Sequence, residues 1–236
     1  MVAPLSGNAL ATLFPEGGLL ARLRAANEDA WRKYVDHAFV RQLADGTLPK
    51  AAFRHYLIQD YLFLIHFARA YALAAYKGET LDDIKSAMAA ASALVDTEMG
   101  LHVGFCAGWG LSEAEMAATR EDSATLAYTR YVLERGMAGD LLDLHIALAP
   151  CVLGYAEIGL CLSADPAIRR DGNPYTPWID MYAGDEYQQV ARDAADFIER
   201  LALRRGAEAR FEGLGRTFDA ATRLEADFWQ QGLNAC

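Results

Sequence analysis

A thiol, three phenols and two carboxylates stand in this chain inside unusually apolar sequence. The stretch ALAPCVLGYAEIG (147–159) carries Cys151 and, four residues on, Tyr155. On an α-helix, residues four apart differ by about 40° in direction, so thiol and phenol share one face, and Pro150 loosens the backbone just before the cysteine. That arrangement suits a nucleophile beside a hydrogen-bonding phenol, but a free cysteine is also among the most buried residue types and packs as a small hydrophobe. Spacing alone leaves both readings open. Cys106, Cys161 and Cys236 lack comparable polar company in sequence.

Asp60 lies in FRHYLIQDYLFLIHFARAY, among neighbours that are nearly all large and apolar. Desolvating a lone carboxylate costs several kcal/mol, so Asp60 meets an inward partner, binds a ligand or occupies the one polar strip of its helix. Phe63, three residues on, lies beside it and could lay a ring against whatever it holds. ATRLEADFWQQG repeats the pattern, with Glu225 followed by Phe228 and Trp229 at helical spacing. A carboxylate against aromatic rings can have a raised pKa suited to proton transfer, whereas a solvated Glu beside a buried Phe is the plainer alternative. Tyr128 and Tyr182 are further phenols on apolar faces, where buried tyrosines commonly find one hydrogen-bond partner. Glu98 and His102 are four apart and His66 follows Asp60 by six, but no His-Glu-x-x-His or paired Glu-x-x-His motif is present, so no metal site is expected. Gly-rich phosphate loops and a Gly-x-Ser-x-Gly elbow are absent as well.

The elements that must position these residues are helical. Of 236 residues, 53% are hydrophobic, and no strand-like alternation, repeat or linker interrupts the three- and four-residue apolar spacing. The pattern predicts one all-α domain over 1–236, with 1–16 as a lead-in. Helices are expected at about 18–43, 49–76, 80–109, 140–162, 178–204 and 208–232, with Thr80, Ser112 and Ser123 as N-terminal caps and a loop over 163–177.

The net charge of −10 opposes any phosphate backbone, so nucleic acid is not an expected partner. The most apolar stretches are broken by charge or proline and fall short of the roughly 20 residues of a membrane span. The start MVAPLSGNALATLFPEGG lacks a charged beginning and a continuous apolar middle, and four cysteines include no Cys-x-x-Cys pair, so a reducing cytoplasm is expected.

Four stretches, FRHYLIQDYLFLIHFARA (53–70), AYTRYVLERGMAGDLLDLHIALAPCVLGYAEIG (127–159), YTPWIDMYAGDEY (175–187) and ATRLEADFW (221–229), stand in the order and approximate spacing of one family. The chain resembles the TenA, or thiaminase II, proteins over nearly its whole length, and Cys151 after Pro150 places the resemblance in the cysteine-containing branch. That resemblance implies a single haem-oxygenase-like helical bundle. It also implies hydrolysis of 4-amino-5-aminomethyl-2-methylpyrimidine, and of thiamin, to the hydroxymethyl pyrimidine in thiamin salvage. By motif, Cys151 is the implied nucleophile and Glu225 the proton carrier. Asp60 holds the amino and ring-nitrogen edge, Tyr128, Tyr155 and Tyr182 hydrogen-bond around the ring, and Phe63 and Phe228 sandwich it. No metal or organic cofactor is implied, and a homotetramer is. The same resemblance leaves two alternatives, a non-catalytic pyrimidine-binding regulator on the same fold and an oxidase related to haem oxygenase. Ala149, Val152 and Leu153 depart from the family's usual leucine and larger aromatics, and the loop 163–177 is longer than usual, which bears on substrate preference more than on reaction type.

Overall fold

Capping chemistry explains where several helices begin in the computed structural model, which describes residues 7–235. In chain order the α-helices are α1 (Gly7–Leu13), α2 (Leu19–Ala26), α3 (Glu28–Val35), α4 (Ala38–Asp45), α5 (Lys50–Lys77), α6 (Leu81–Ser92) and α7 (Met99–Gly108). There follow α8 (Glu113–Ala118), α9 (Ser123–Ala138), α10 (Leu141–Ala164), α11 (Thr176–Ala183), α12 (Asp185–Arg204) and α13 (Ala207–Asn234), and a π-helical stretch, Ala93–Glu98, joins α6 to α7. Thr80 and Ser112 each accept from the backbone N–H three residues on, while Asp83 and Glu115 return the bond to the cap, two complete capping boxes.

The expected helix 18–43 is three. Asn27 ends the first turn of events by donating its side-chain amide to the Leu23 carbonyl at 2.8 Å, and Asp36 leaves helical geometry at φ −107°, ψ 34° before His37 caps α4. The Asn27 amide and the His37 ring, which accepts from the Phe39 N–H at 3.2 Å, offer the backbone competing bonds that the apolar spacing conceals. Likewise 178–204 divides at the extended Gly184. Ser123 is not the cap of α9. Asp122 holds that position, with its N–H bonded to Gln59 and its carboxylate 2.7 Å from His55. Residues 1–6 of the expected lead-in lie outside the described residues, and the rest is not bare lead-in, since Gly7–Leu13 is helical and Leu13 is fully buried.

The described residues group into two compact units. One takes the chain through Leu48 together with His145–Trp229. Its aromatic interior stacks Trp31 on Phe218 (centroids 5.4 Å apart) and Phe39 on Trp229 (4.9 Å). Glu157, buried on α10, accepts both guanidinium bonds of Arg24 (2.7 and 3.0 Å) and the Trp31 indole N–H (2.9 Å), so this acid ties α2 and α3 to α10. Gly154 lets α3 close on α10. A Cβ there would lie 2.1 Å from the ring of Tyr34, whose hydroxyl donates to the Pro150 carbonyl at 3.3 Å. Gly154→Ala should therefore destabilise the fold by about 3 kcal/mol, near the upper end of ordinary overpacking. For a chain of this size that is a melting-temperature drop of roughly 6–12 °C, to be read by calorimetry.

The second unit is Pro49–Leu144 with the residues from Gln230 on. The long helix α5 is its centre, with α6, α7, α8 and α9 packed on it. Gln59, fully buried, accepts from Asp122 N–H (3.0 Å) and Thr125 hydroxyl (2.7 Å) and donates to the Arg120 carbonyl (3.1 Å), fixing the start of α9 against α5. Gly136 serves the other end, since a Cβ there would lie 2.8 Å from both Leu73 and Leu144.

The apolar stretch around Cys151 extends further than its interruptions suggest. α10 runs 24 residues and is long and apolar enough to cross a membrane, and 78% of its most apolar window is buried inside the protein, the setting of a core helix.

Candidate active site

In the first unit, α10 carries Cys151 half-buried and Tyr155 one turn later, nearly buried. Tyr155 packs on Tyr182 (4.8 Å), Trp229 (5.1 Å) and Trp178 (5.8 Å). Two devices bring Tyr182 there. Gln188 donates to the Ala156 carbonyl at 3.0 Å and the Tyr182 carbonyl at 2.7 Å, clamping the end of α11 onto α10. Gly159 permits the approach, because a Cβ would stand 2.5 Å from the Tyr182 backbone. Tyr187 then packs edge-on to Tyr182 (4.7 Å) and donates to the Val152 carbonyl at 3.3 Å. On α13, Glu225 is only 2% exposed and lies one turn before Trp229, with Phe228 also buried. A carboxylate that deep is not the solvated acid of the plainer alternative.

In the second unit, Asp60 points inward. It is 8% exposed, accepts a hydrogen bond from Tyr56 one turn earlier on α5, and its Oδ2 lies 3.5 Å from His102 Nδ1 on α7. Burial pushes its pKa up to about 6 against the opposing pull of His102 and Tyr56. Phe63 packs on Tyr128 (5.1 Å) and Phe67 (5.4 Å), with Tyr128 buried on α9. The polar-strip alternative for Asp60 therefore falls away.

A raised acid pKa has a definite consequence for stability. The folded state holds the Asp60 proton up to about pH 6 while the unfolded chain releases it near 3.8, so this group's contribution to stability is lost as pH rises from about 4 to 6. At 1.36 kcal/mol per pKa unit the cost above pH 6 is about 3 kcal/mol. Asp60→Asn should be more stable than wild type at pH 8, by about 1–3 kcal/mol once the Tyr56 bond is allowed for, with the gain vanishing near pH 4. Urea unfolding at the two pH values reads this directly.

Sequence reasoning connected neither His102 nor Cys106 with Asp60. They are four apart on α7, and Cys106 is buried close enough to Asp60 for its charge, after burial itself, to hold the thiol up at about 12. Polar company for Cys106 does exist, then, but it lies on another helix. Cys161 is likewise pushed up to about 12, first by burial and then by Glu157. Neither thiol supplies thiolate at neutral pH. Among the described residues no three His, Cys, Asp or Glu side chains converge as metal ligands.

Residues 24–235 match the family model described as TENA/THI-4/PQQC family. An uncharacterised protein of Haemophilus influenzae is 43% identical over 204 residues, covering 86% of this chain and 94% of its own. The aminopyrimidine aminohydrolase of Halalkalibacterium halodurans is 34% identical over 216 residues, 91% of this chain and 95% of the relative. Among solved structures, a TenA family transcription regulator from Silicibacter sp. TM1040 superposes with a TM-score of 0.87 at 49% identity, over 93% of this chain and 98% of that one. A Shewanella denitrificans domain described as having a haem oxygenase-like fold matches at a TM-score of 0.72 and 14% identity, over 91% of this chain and 92% of that one, a likeness of fold alone. The all-α, haem-oxygenase-like expectation holds.

Proposed function

Given that the chain belongs to the TENA/THI-4/PQQC family, we propose that it is a cysteine-dependent aminopyrimidine aminohydrolase of thiamin salvage, working in the cytoplasm as a homotetramer and needing no metal or organic cofactor. The observation that carries this is the setting of Cys151. Cys151 sits half-buried on α10 directly after Pro150, one turn from Tyr155 and the tyrosine cluster it joins. The similarity to an aminopyrimidine aminohydrolase over nine-tenths of the chain supports the same reading.

In the proposed reaction the Cys151 thiolate adds to the electron-poor ring carbon next to the one bearing the aminomethyl group. The ring electrons then expel the amine from the exocyclic methylene, and Glu225 supplies the proton that lets it leave as ammonia. Water adds to the methylene, Glu225 takes its proton, and the carbon–sulfur bond breaks to return the thiolate and the hydroxymethyl pyrimidine. Covalent addition divides one difficult displacement into two easier steps. Asp60 holds the amino and ring-nitrogen edge, Tyr128, Tyr155 and Tyr182 supply hydrogen bonds, and Phe63 and Phe228 supply ring faces.

Incubation of purified protein with 4-amino-5-aminomethyl-2-methylpyrimidine should release ammonia and the hydroxymethyl product in equal amounts. A second reading, a pyrimidine-binding regulator, is favoured by the description of the 49% identical Silicibacter protein. It requires saturable binding with no turnover, and the net charge of −10 opposes direct contact with DNA. Light scattering in solution tests the tetramer.

A further inference from the structure

His102 stands out among the groups the proposed reaction leaves unused. It sits on α7, its side chain is 11% exposed, and both ring nitrogens are engaged with α5: Nε2 is 2.9 Å from the Leu57 carbonyl, and Nδ1 is 3.5 Å from Asp60 Oδ2. A carbonyl oxygen only accepts, so Nε2 carries a proton and the ring is fixed in tautomer and orientation. The nitrogen facing Asp60 is then bare or protonated. When bare, it draws the proton of a neutral Asp60 carboxyl toward itself. When protonated, it faces a carboxylate as an imidazolium. Both of these states attract, with one proton between Nδ1 and Oδ2; that proton is lost as pH rises through about 6.

We infer that His102 is a positioning residue for Asp60, holding its carboxyl group by a pinned imidazole so that the acid meets the amino and ring-nitrogen edge of the pyrimidine in one orientation. The inference rests on the role proposed for Asp60. An aminopyrimidine edge offers an N–H beside a ring-nitrogen lone pair. It is met by a neutral acid that accepts from one and donates to the other, or by a carboxylate once the ring nitrogen is protonated. An acid sharing a proton with an imidazole can present either form without exchanging protons with solvent. Tyr56, donating to the same carboxyl from one turn away, restrains it from a second side. Losing the orientation weakens binding of substrate and transition state alike, so the effect belongs in KM.

Two amide substitutions separate this role from a merely structural one. In His102→Asn the amide nitrogen falls near the Nδ1 position and can donate to Asp60, whereas in His102→Gln it falls near Nε2 and keeps only the bond to the Leu57 carbonyl. The inference expects His102→Gln to raise KM, and the Kd of the hydroxymethyl product, by about tenfold or more with kcat within about threefold. His102→Asn should stay within about threefold of wild type in both, and thermal melts should show both variants folded. Wild-type kinetics in His102→Gln, or equal losses in the two, would overturn it. As a measurement without a variant, the Nδ1 nitrogen-15 resonance of His102 should move when product binds, and an unmoved resonance counts against the inference equally. Asp60→Asn in the same assays separates the two levels. If it loses product binding while His102→Gln does not, only the inference about His102 fails. If wild type neither binds nor turns over the pyrimidine, the proposed function fails and takes this inference with it.

Discussion

Cys151→Ala is expected to lower kcat for ammonia release by at least about a thousandfold, because removing the atom that forms the covalent bond leaves only binding and proton transfer to act on a poor leaving group. The Kd for the hydroxymethyl product should stay within about threefold of wild type, since the proposed contacts to the ring come from Asp60, the tyrosines and the two phenylalanines. The substitution is a gentle one for the fold. Cys151 is half-buried and small, and Gly154, Tyr155 and Glu157 on the same helix carry contacts to α3 and α11. Steady-state ammonia release beside a titration with product therefore separates chemistry from binding. An unchanged rate in Cys151→Ala would remove the nucleophile, and a wild type that binds without turnover would leave the regulator reading in place. The same variant should be equally inactive on thiamin, because the first covalent step is shared by both substrates.

Much of the fold was legible because helix capping and apolar spacing are local. Thr80 with Asp83 and Ser112 with Glu115 declare their helices in four residues each, and α5 follows from spacing alone. What spacing could not show is where a helix breaks inside an apolar pattern. Asn27, Asp36 and Gly184 divide runs whose apolar periodicity continues across them, and the breaks are set by local backbone geometry, with a side-chain bond to the backbone at Asn27 and an extended residue at Gly184, rather than by hydrophobicity. The candidate site divides similarly. The pairing of Cys151 with Tyr155 is a matter of helical geometry, and the burial of Asp60 and Glu225 was foreshadowed by their apolar neighbours. The ring partners of Tyr155 were not, because Tyr182 reaches it only through the Gln188 clamp and the missing Cβ of Gly159. His102 was hidden for a related reason. Forty-two residues separate it from Asp60, and its most visible sequence partner, Glu98, suggested a metal pair instead of a hydrogen-bonded imidazole.

Glu225→Gln should lower kcat for the aminomethyl pyrimidine by about a hundredfold to ten-thousandfold, the usual range for loss of a positioned acid and base, while leaving product affinity nearly unchanged. The glutamine keeps the size and hydrogen-bonding shape of the side chain in its buried position, so the change isolates the proton. The leaving group sharpens the test. An amine cannot depart as its anion and needs a proton as the carbon–nitrogen bond breaks, whereas the thiazolium of thiamin departs as a neutral thiazole and needs none. Glu225→Gln should therefore impair the first half of the reaction for the aminomethyl substrate only, with thiamin retaining just the penalty for activating water in the second half. The ratio of the two wild-type-to-variant losses, measured at saturating substrate, should exceed about ten. Equal losses on both substrates would confine Glu225 to activating water. A loss on neither would move the proton to a different residue, with the buried tyrosines of the Tyr155–Tyr182 cluster the next to be changed.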